Sequence, residues 1–489
     1  MRVVFYWLML LALWEKGAEN PLLAQSLFTP QQMQADAARL RQALEEAHPT
    51  RTLYITEAEW QALWEEAAQN WLVPLSEVDF FRSLAPIVAQ LRDGHTNLWI
   101  SEKLEEALEN APLFLPVKLK FIQGKAYLWR SYLPAALWPP GSQLIAINGR
   151  LIDEIIPLMQ LYLSADGANQ SHQYYQLENT RLFGLWYNLL FGRTDTYALE
   201  YLALGQEKPE LVRVSGQTLA QMQANFERNY PSEAAPAPPL SWEWDKKSPL
   251  AFLTIRSFRP EAFEAFNIRF DDFISQCFSQ LNKANTPHLV IDLRGNLGGN
   301  DAYGAQLLAH LLDTSFYYYE SLELLKPACD FLSPTNLPVE VVPSRMLQEN
   351  EKGTFNFINH PNLGPQLPAS MAYLGQVWVL IDGGSFSTAS EFAALCHHYH
   401  RATFVGQESG GAYYGGAGGF MPLLVLPHSG LRIQIPLLRH YLAVKNYPYS
   451  DRGLLPDVEI EGRPEDLQTG HDAVKEFVKK EVLKALEKP

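Results

Sequence analysis

Five short apolar runs follow residue 249, and their alternation with helical patterns constrains this chain more than any other feature. They read "LAFLTIRSF", "HLVIDLRG", "VWVLIDGG", "RATFVGQE" and "LRIQIPLL". Each has strand length. Helical patterns follow the second ("DAYGAQLLAHLL") and the third ("TASEFAALCHHY"). Strand–loop–helix alternation predicts an α/β layer, in which chemistry collects on the loops at the carboxyl ends of the strands.

Three loops offer chemistry. In "DGGSFSTASEFAAL", 382–395, Thr388-x-x-Glu391 reads as a capping box, with Phe392, Cys396 and Tyr399 on one helical face. That leaves Ser387 unexplained, just before the cap, where converging backbone N–H groups would stabilise an oxyanion. Ser385 lies further back beside two glycines. Neither serine sits in a GxSxG frame, which disfavours the α/β-hydrolase pattern. On local grounds a nucleophile and a simple helix cap both stay open.

The second loop, "IDLRGNLGGN" (291–300), follows a buried strand, and Gly295, Gly298 and Gly299 leave its backbone bare. Bare N–H groups can cradle an anion or a developing oxyanion, though glycines also mark tight turns. No GK[ST] follows, so a phosphate loop is disfavoured. The third is "LRDGHTNLW" (91–99), where the Asp93-Gly94 turn presents His95. A lone histidine is more often structural than catalytic. "HHYH" (397–400) reads as a solvated helix face and not a metal site. "SGGAYYGGAGGF" (409–420) reads as a mobile glycine-rich loop without a nucleotide-binding frame.

The first half differs. Residues 28–110 read helical, with Met33, Ala37, Leu40 and Leu44 on one face. From about 113 short strands take over, including an Asn148-Gly149 hairpin turn. "YPSEAAPAPPLSW" (230–242) reads as an extended proline-rich linker and the best domain boundary. The N-terminus, "MRVVFYWLMLLALWEKGAENPLLAQS", carries an apolar stretch too short to span a bilayer and reads as a secretory signal peptide, cleaved after Gln25 or after Ala18.

Composition narrows the function classes. The net charge of −15, without a Lys/Arg cluster, argues against a nucleic-acid or anionic-membrane surface. Three dispersed cysteines without CxxC spacing supply no zinc site and at most one disulfide.

Taken together, "LRDGHTNL", "PGSQLIAINGRLIDEI", "SPLAFLTIRSF", "VIDLRGNLGGN", "GGSFSTASEFAAL", "ATFVGQESGG" and "RGLLPDVEI" resemble the tail-specific, or C-terminal-processing, serine peptidases of family S41, in their tricorn and interphotoreceptor-retinoid-binding-protein branch. The resemblance runs in family order from about residue 28 to about 460. It implies a crotonase-like α/β catalytic domain with a PDZ-like β domain and an N-terminal helical segment. Ser387 falls on the family's nucleophile, the N–H of Thr388 on one oxyanion donor, and Gly298-Gly299 on the loop supplying the other. His95 falls on the base of tricorn-like members, and Asp451 lies near their histidine-orienting acid. Two departures stand out. Ala412 occupies the position of the lysine used by Ser–Lys members, and no Gly-Leu-Gly-Phe carboxylate-binding loop is present.

The expected organisation is therefore a signal peptide (1–25), a helical segment (26–110), a PDZ-like domain (111–229), a linker (230–242), the catalytic domain (243–465) and a C-terminal helix (466–489). The expected activity is that of a secreted or periplasmic serine endopeptidase acting on peptide or unfolded protein, with no metal or organic cofactor. A non-catalytic protein holding hydrophobic ligands or peptides on the same fold is the alternative, and an esterase a third. With Lys445 outside the lysine-bearing loop and His397 about 15 Å along the helix at 1.5 Å per residue, His95 is expected to approach Ser387, with Asp451 or Asp93 near its other nitrogen.

Overall fold

The structure is a computed structural model and describes residues 27–332 and 339–487. The segment expected to be a signal peptide lies outside the described residues. Among them, no helix is long and apolar enough to cross a membrane.

Leu289, Val290 and Ile291 are all fully buried, as a strand covered on both faces requires. Their strand, His288–Asp292, lies inside a six-stranded sheet ordered Val458–Glu459, Thr403–Gly406, Gln376–Ile381, His288–Asp292, Leu250–Ile255, Leu240–Glu243. The first five are parallel and the last antiparallel. Alternation of side chains sends Leu289 and Ile291 into a core with helices Phe270–Ala284 and Thr388–His398. Val290, Leu380 and Val405 face the other way, onto Val474, Val478 and Val482 of the C-terminal helix Ala473–Glu487.

Four of the five apolar runs are strands of this sheet. The fifth is not. Arg432–Gln434 pairs with Leu423–Val425 and with Leu98–Trp99, while Leu438–Leu442 joins a separate five-stranded sheet beside Tyr319–Leu324. Its burial alternates, with Ile433 and Ile435 inside and Gln434 exposed, which is the signature of a one-sided antiparallel strand. The 230–242 segment is also more ordered than an extended linker. Pro231–Ala234 makes a helical turn, and Leu240–Glu243 is the edge strand, held by buried Leu240 and by Trp242 Nε1 donating to Gln280 Oε1 at 2.9 Å.

The N-terminal helices Pro30–Ala47, Glu57–Ala68, Glu77–Ala89 and Glu102–Glu109 each start at a Thr or Ser cap. A five-stranded antiparallel arrangement follows, ordered Val117–Ile122, Lys125–Ser131, Ser142–Ile147, Thr196–Leu202, Glu210–Ser215, with Arg150–Leu151 paired to the third. The Asn148-Gly149 turn has φ of 52° and 78°, as a two-residue hairpin demands. Helices and sheet share one core, in which Leu40, Trp60 and Phe80 join Phe114, Leu128 and Trp186. The two expected segments therefore fold as one body. The 423–434 hairpin also enters that core through Leu424 and Ile433, and buried Asp36 accepts the N–H groups of His428 and Ser429. This grip carries the His95 turn across to the central sheet.

Candidate active site

Gln376–Ile381 ends at Asp382, and the chain then turns sharply into helix Thr388–His398. Ser387 sits at that turn with φ 54° and ψ −127°, a backbone conformation that disfavours any side chain. It is partly exposed, whereas Ser385 and Ser390 are buried. Ser385 Oγ donates to Leu293 O at 2.9 Å and Ser390 Oγ to Ser387 O at 2.8 Å. Of the three serines, Ser387 alone keeps its hydroxyl available.

The capping-box reading fails here. Thr388 is the first helical residue and not the cap, and its Oγ1 donates to Gly299 O at 2.9 Å. Glu391 does not turn back to the helix start. It is buried and accepts hydrogen bonds from Tyr318, Tyr319 and His440, each at 3.1 Å. Tertiary partners have taken both side chains from their local roles.

Gly298 packs directly on the serine turn: a Cβ there would lie 2.7 Å from Ser387 Cβ and 2.9 Å from Thr388 N. Its φ of 89° and that of Gly299, 147°, both favour glycine. Buried Asn296 fixes the loop, accepting the Gly298 N–H at 2.9 Å on Oδ1 and the Phe386 N–H at 3.0 Å on its carbonyl. Among the described residues, the N–H groups of Thr388 and Gly299 have no protein acceptor. Gly298 thus shapes the loop, and Thr388 and Gly299 carry its uncommitted donors.

His95 arrives from the N-terminal body. Asp93 Oδ1 accepts its backbone N–H at 2.9 Å and the Thr96 hydroxyl at 3.2 Å, while Oδ2 accepts the Thr50 hydroxyl at 3.1 Å. The imidazole packs on Phe386, the residue before the serine, with ring centroids 4.5 Å apart. The histidine turn and the serine turn are therefore in contact. Among the described residues no hydrogen bond joins His95 to Ser387, and His95 Nδ1 is buried without a partner. Buried His172 stacks on Phe386 at 4.4 Å. Burial pushes its pKa down to about 4, and its Nδ1 lies 2.8 Å from Gly383 O, so it is a neutral structural histidine.

Asp451 reaches this region through its backbone, its carbonyl accepting the Ala168 N–H at 2.8 Å. Beside it is an acid that the sequence reading missed. Asp166 is buried and accepts the Gly94 N–H at 2.7 Å and the Ala412 N–H at 3.0 Å. The sequence offered little signal for it, since Asp166-Gly167 is one of three Asp-Gly pairs, with Asp93-Gly94 and Asp382-Gly383. The same bonds correct the picture of a mobile 409–420 loop: Ala412 and Tyr413 are buried, and Gly410 N–H donates to Ser385 O at 2.8 Å. Lys445 is exposed, away from this turn. His400 falls outside the helix at φ 52°, so it shares no helix face with His397, which lies 2.8 Å from the Tyr413 hydroxyl.

Asp93, His95 and Asp166 are the candidate metal-ligand trio among the described residues, with one donor atom of each within 4.8 Å of the others. Their carboxylate oxygens already serve N–H and O–H donors, which makes the trio a hydrogen-bonded brace. Cavities of about 300 and 370 Å³ lie between the two sheets around Lys120, Asp382 and Gln407, and neither encloses Ser387 or His95.

Residues 249–460, which contain the central sheet, both glycine loops and Ser387, match the family model for peptidase family S41. This segment belongs to peptidase family S41. No curated protein matches the chain. A crystal structure of mature CPAF is similar at 16% identity, covering 92% of this chain and 96% of that one, with a TM-score of 0.60. A mutant CPAF structure gives 14% identity, the same coverages and a TM-score of 0.63. A photosystem II D1 C-terminal processing protease aligns at 13% identity over 89% of this chain and 94% of that one, with a TM-score of 0.41. The CPAF likeness shows a shared fold over nearly the whole chain, and the S41 assignment supports a protease function with peptide substrates.

Proposed function

We propose that this chain is a serine endopeptidase, with Ser387 as nucleophile and His95 as general base. The observation that carries this reading is the Ser387 backbone. A non-glycine residue held at φ 54°, with a partly exposed hydroxyl at a helix start, is strain retained at the point where an acyl group would be attacked. Ser387 Oγ attacks a peptide carbonyl while His95 takes the hydroxyl proton. The tetrahedral oxyanion is received by the N–H groups of Thr388 and of the Gly298-Gly299 loop. His95 then returns the proton to the leaving amine, and water hydrolyses the acyl-enzyme along the reverse proton path. Phe386, which contacts His95 and adjoins Ser387, supports the approach of the two groups.

On this reading residues 243–465 are the crotonase-like catalytic domain and 111–229 the PDZ-like domain beside which substrate enters. The N-terminal signal segment makes the enzyme secreted or periplasmic. Turnover of an unfolded protein such as reduced casein tests the reading. Ser387→Ala and His95→Ala should each lower kcat by roughly three orders of magnitude or more without unfolding the chain, and Lys445→Ala should leave it within about twofold. Full turnover by Ser387→Ala would end the proposal.

A further inference from the structure

Asp166 is a buried carboxylate without a Lys or Arg partner among the described residues, and it stands beside the one imidazole the proposed reaction needs. Buried anions persist where a hydrogen-bonding or cationic partner compensates them. Here the two backbone N–H groups it accepts tie the His95 turn, through Gly94, to the glycine loop, through Ala412. A side-chain partner within reach is His95, whose buried Nδ1 has no hydrogen bond among the described residues.

The other two acids are placed differently. Asp93 spends its two oxygens on three donors, from His95 N, Thr96 Oγ1 and Thr50 Oγ1. Asp451 contributes its carbonyl to Ala168, two residues beyond Asp166, and its carboxylate makes no hydrogen bond among the described residues. Asp451 thus supports the Asp166 turn through its backbone, and its carboxylate is not part of the Asp93–His95–Asp166 group whose donor atoms lie within 4.8 Å of one another. Around the pair also stand Tyr54, on which all three acids and the Arg439 charge act, neutral His172 and buried His48.

We propose that Asp166 is the positioning residue for His95, accepting the imidazole Nδ1–H so that Nε2 turns toward Ser387 Oγ. This rests on the serine-peptidase reading above. A carboxylate in that place fixes the tautomer and stabilises the imidazolium formed during acyl transfer. Burial and then the neighbouring Asp93 charge push the Asp166 carboxyl up to about 6.

The test uses the full chain. Asp166→Asn should lower kcat by about 10³-fold or more with KM within about threefold, and should move the acid limb of kcat/KM to lower pH by about one unit, because a neighbouring negative charge is gone. Asp451→Asn should leave the limb in place. The reverse pattern overturns the proposal. A second readout needs no turnover: ¹⁵N shifts of the His95 ring should report the Nδ1–H tautomer in the unsubstituted protein, and its loss in Asp166→Asn. An Nε2–H tautomer in the unsubstituted protein refutes the pairing even where Asp166→Asn does not fold. The Nδ1–H tautomer without any peptide turnover would leave the pairing standing and sink the peptidase reading instead.

Discussion

At the residue scale, Ser387 and Gly298 show how closely the site is built. Ser387→Gly should stabilise the chain by about 1 kcal/mol, because glycine adopts φ 54° without the side-chain penalty, while abolishing activity. Denaturant unfolding measures this, and a destabilised glycine variant would show that the turn is unstrained. Gly298→Ala should be harmful in both respects. Its Cβ would press on Ser387 Cβ and Thr388 N, so activity should fall by ~10²-fold or more, the order lost when an oxyanion donor is misplaced. Wild-type turnover by that variant would place the oxyanion elsewhere. Ser387, His95 and the glycine loop could be named as candidates because their motifs occur together and in order, although each alone also reads as a helix cap, a structural histidine or a tight turn. Asp166 could not be, since its role depends on Gly94 and Ala412, which only the fold brings to it.

At the scale of elements, the helix Thr388–His398 is anchored by Glu391 and not by a cap. Burial alone would raise the Glu391 carboxyl, but the hydrogen bonds from His440, Tyr318 and Tyr319 outweigh it and hold it below its ordinary 4.5. A carboxyl depressed in the folded state adds stability above its unfolded pKa and loses that contribution as pH falls through the folded one. Glu391→Gln should accordingly cost roughly 1–3 kcal/mol at pH 7, and the gap to the parent should close below about pH 4.5. Thermal melts across pH check this; a gap that widens in acid contradicts it. The same helix explains a misreading. Thr388-x-x-Glu391 satisfies the local capping rule, yet Gly299 and the Tyr318–Tyr319–His440 cluster compete successfully for both side chains. The interior parallel strands were legible from their continuous apolar runs. The run at 431–438 differs, because Arg432 and Gln434 alternate with Leu431, Ile433 and Ile435, a period-two pattern that marks a strand buried on one side only.

At the scale of the whole molecule, two bodies meet around the serine turn. The C-terminal helix seals the far face of the central sheet, and Arg294 ties it there, pairing with Asp292 at 2.7 Å and Asp472 at 2.8 Å. Val478→Asp would place an unpaired charge in that layer and should cost roughly 3 kcal/mol, read as a lowered Tm; an unchanged Tm would show that the helix is dispensable. The N-terminal body delivers His95, and its helices and sheet form one core, which the change from helical to strand patterning near residue 113 did not foretell. On the proposed reading these bodies converge to activate Ser387 alone. Labelling the full chain with a fluorophosphonate and locating the adduct by mass spectrometry tests it most directly. A single adduct on Ser387 is expected, its formation slowed at least about 10²-fold in His95→Ala. An adduct on Ser385 or Ser390, or labelling of Ser387 that is indifferent to His95, would contradict it.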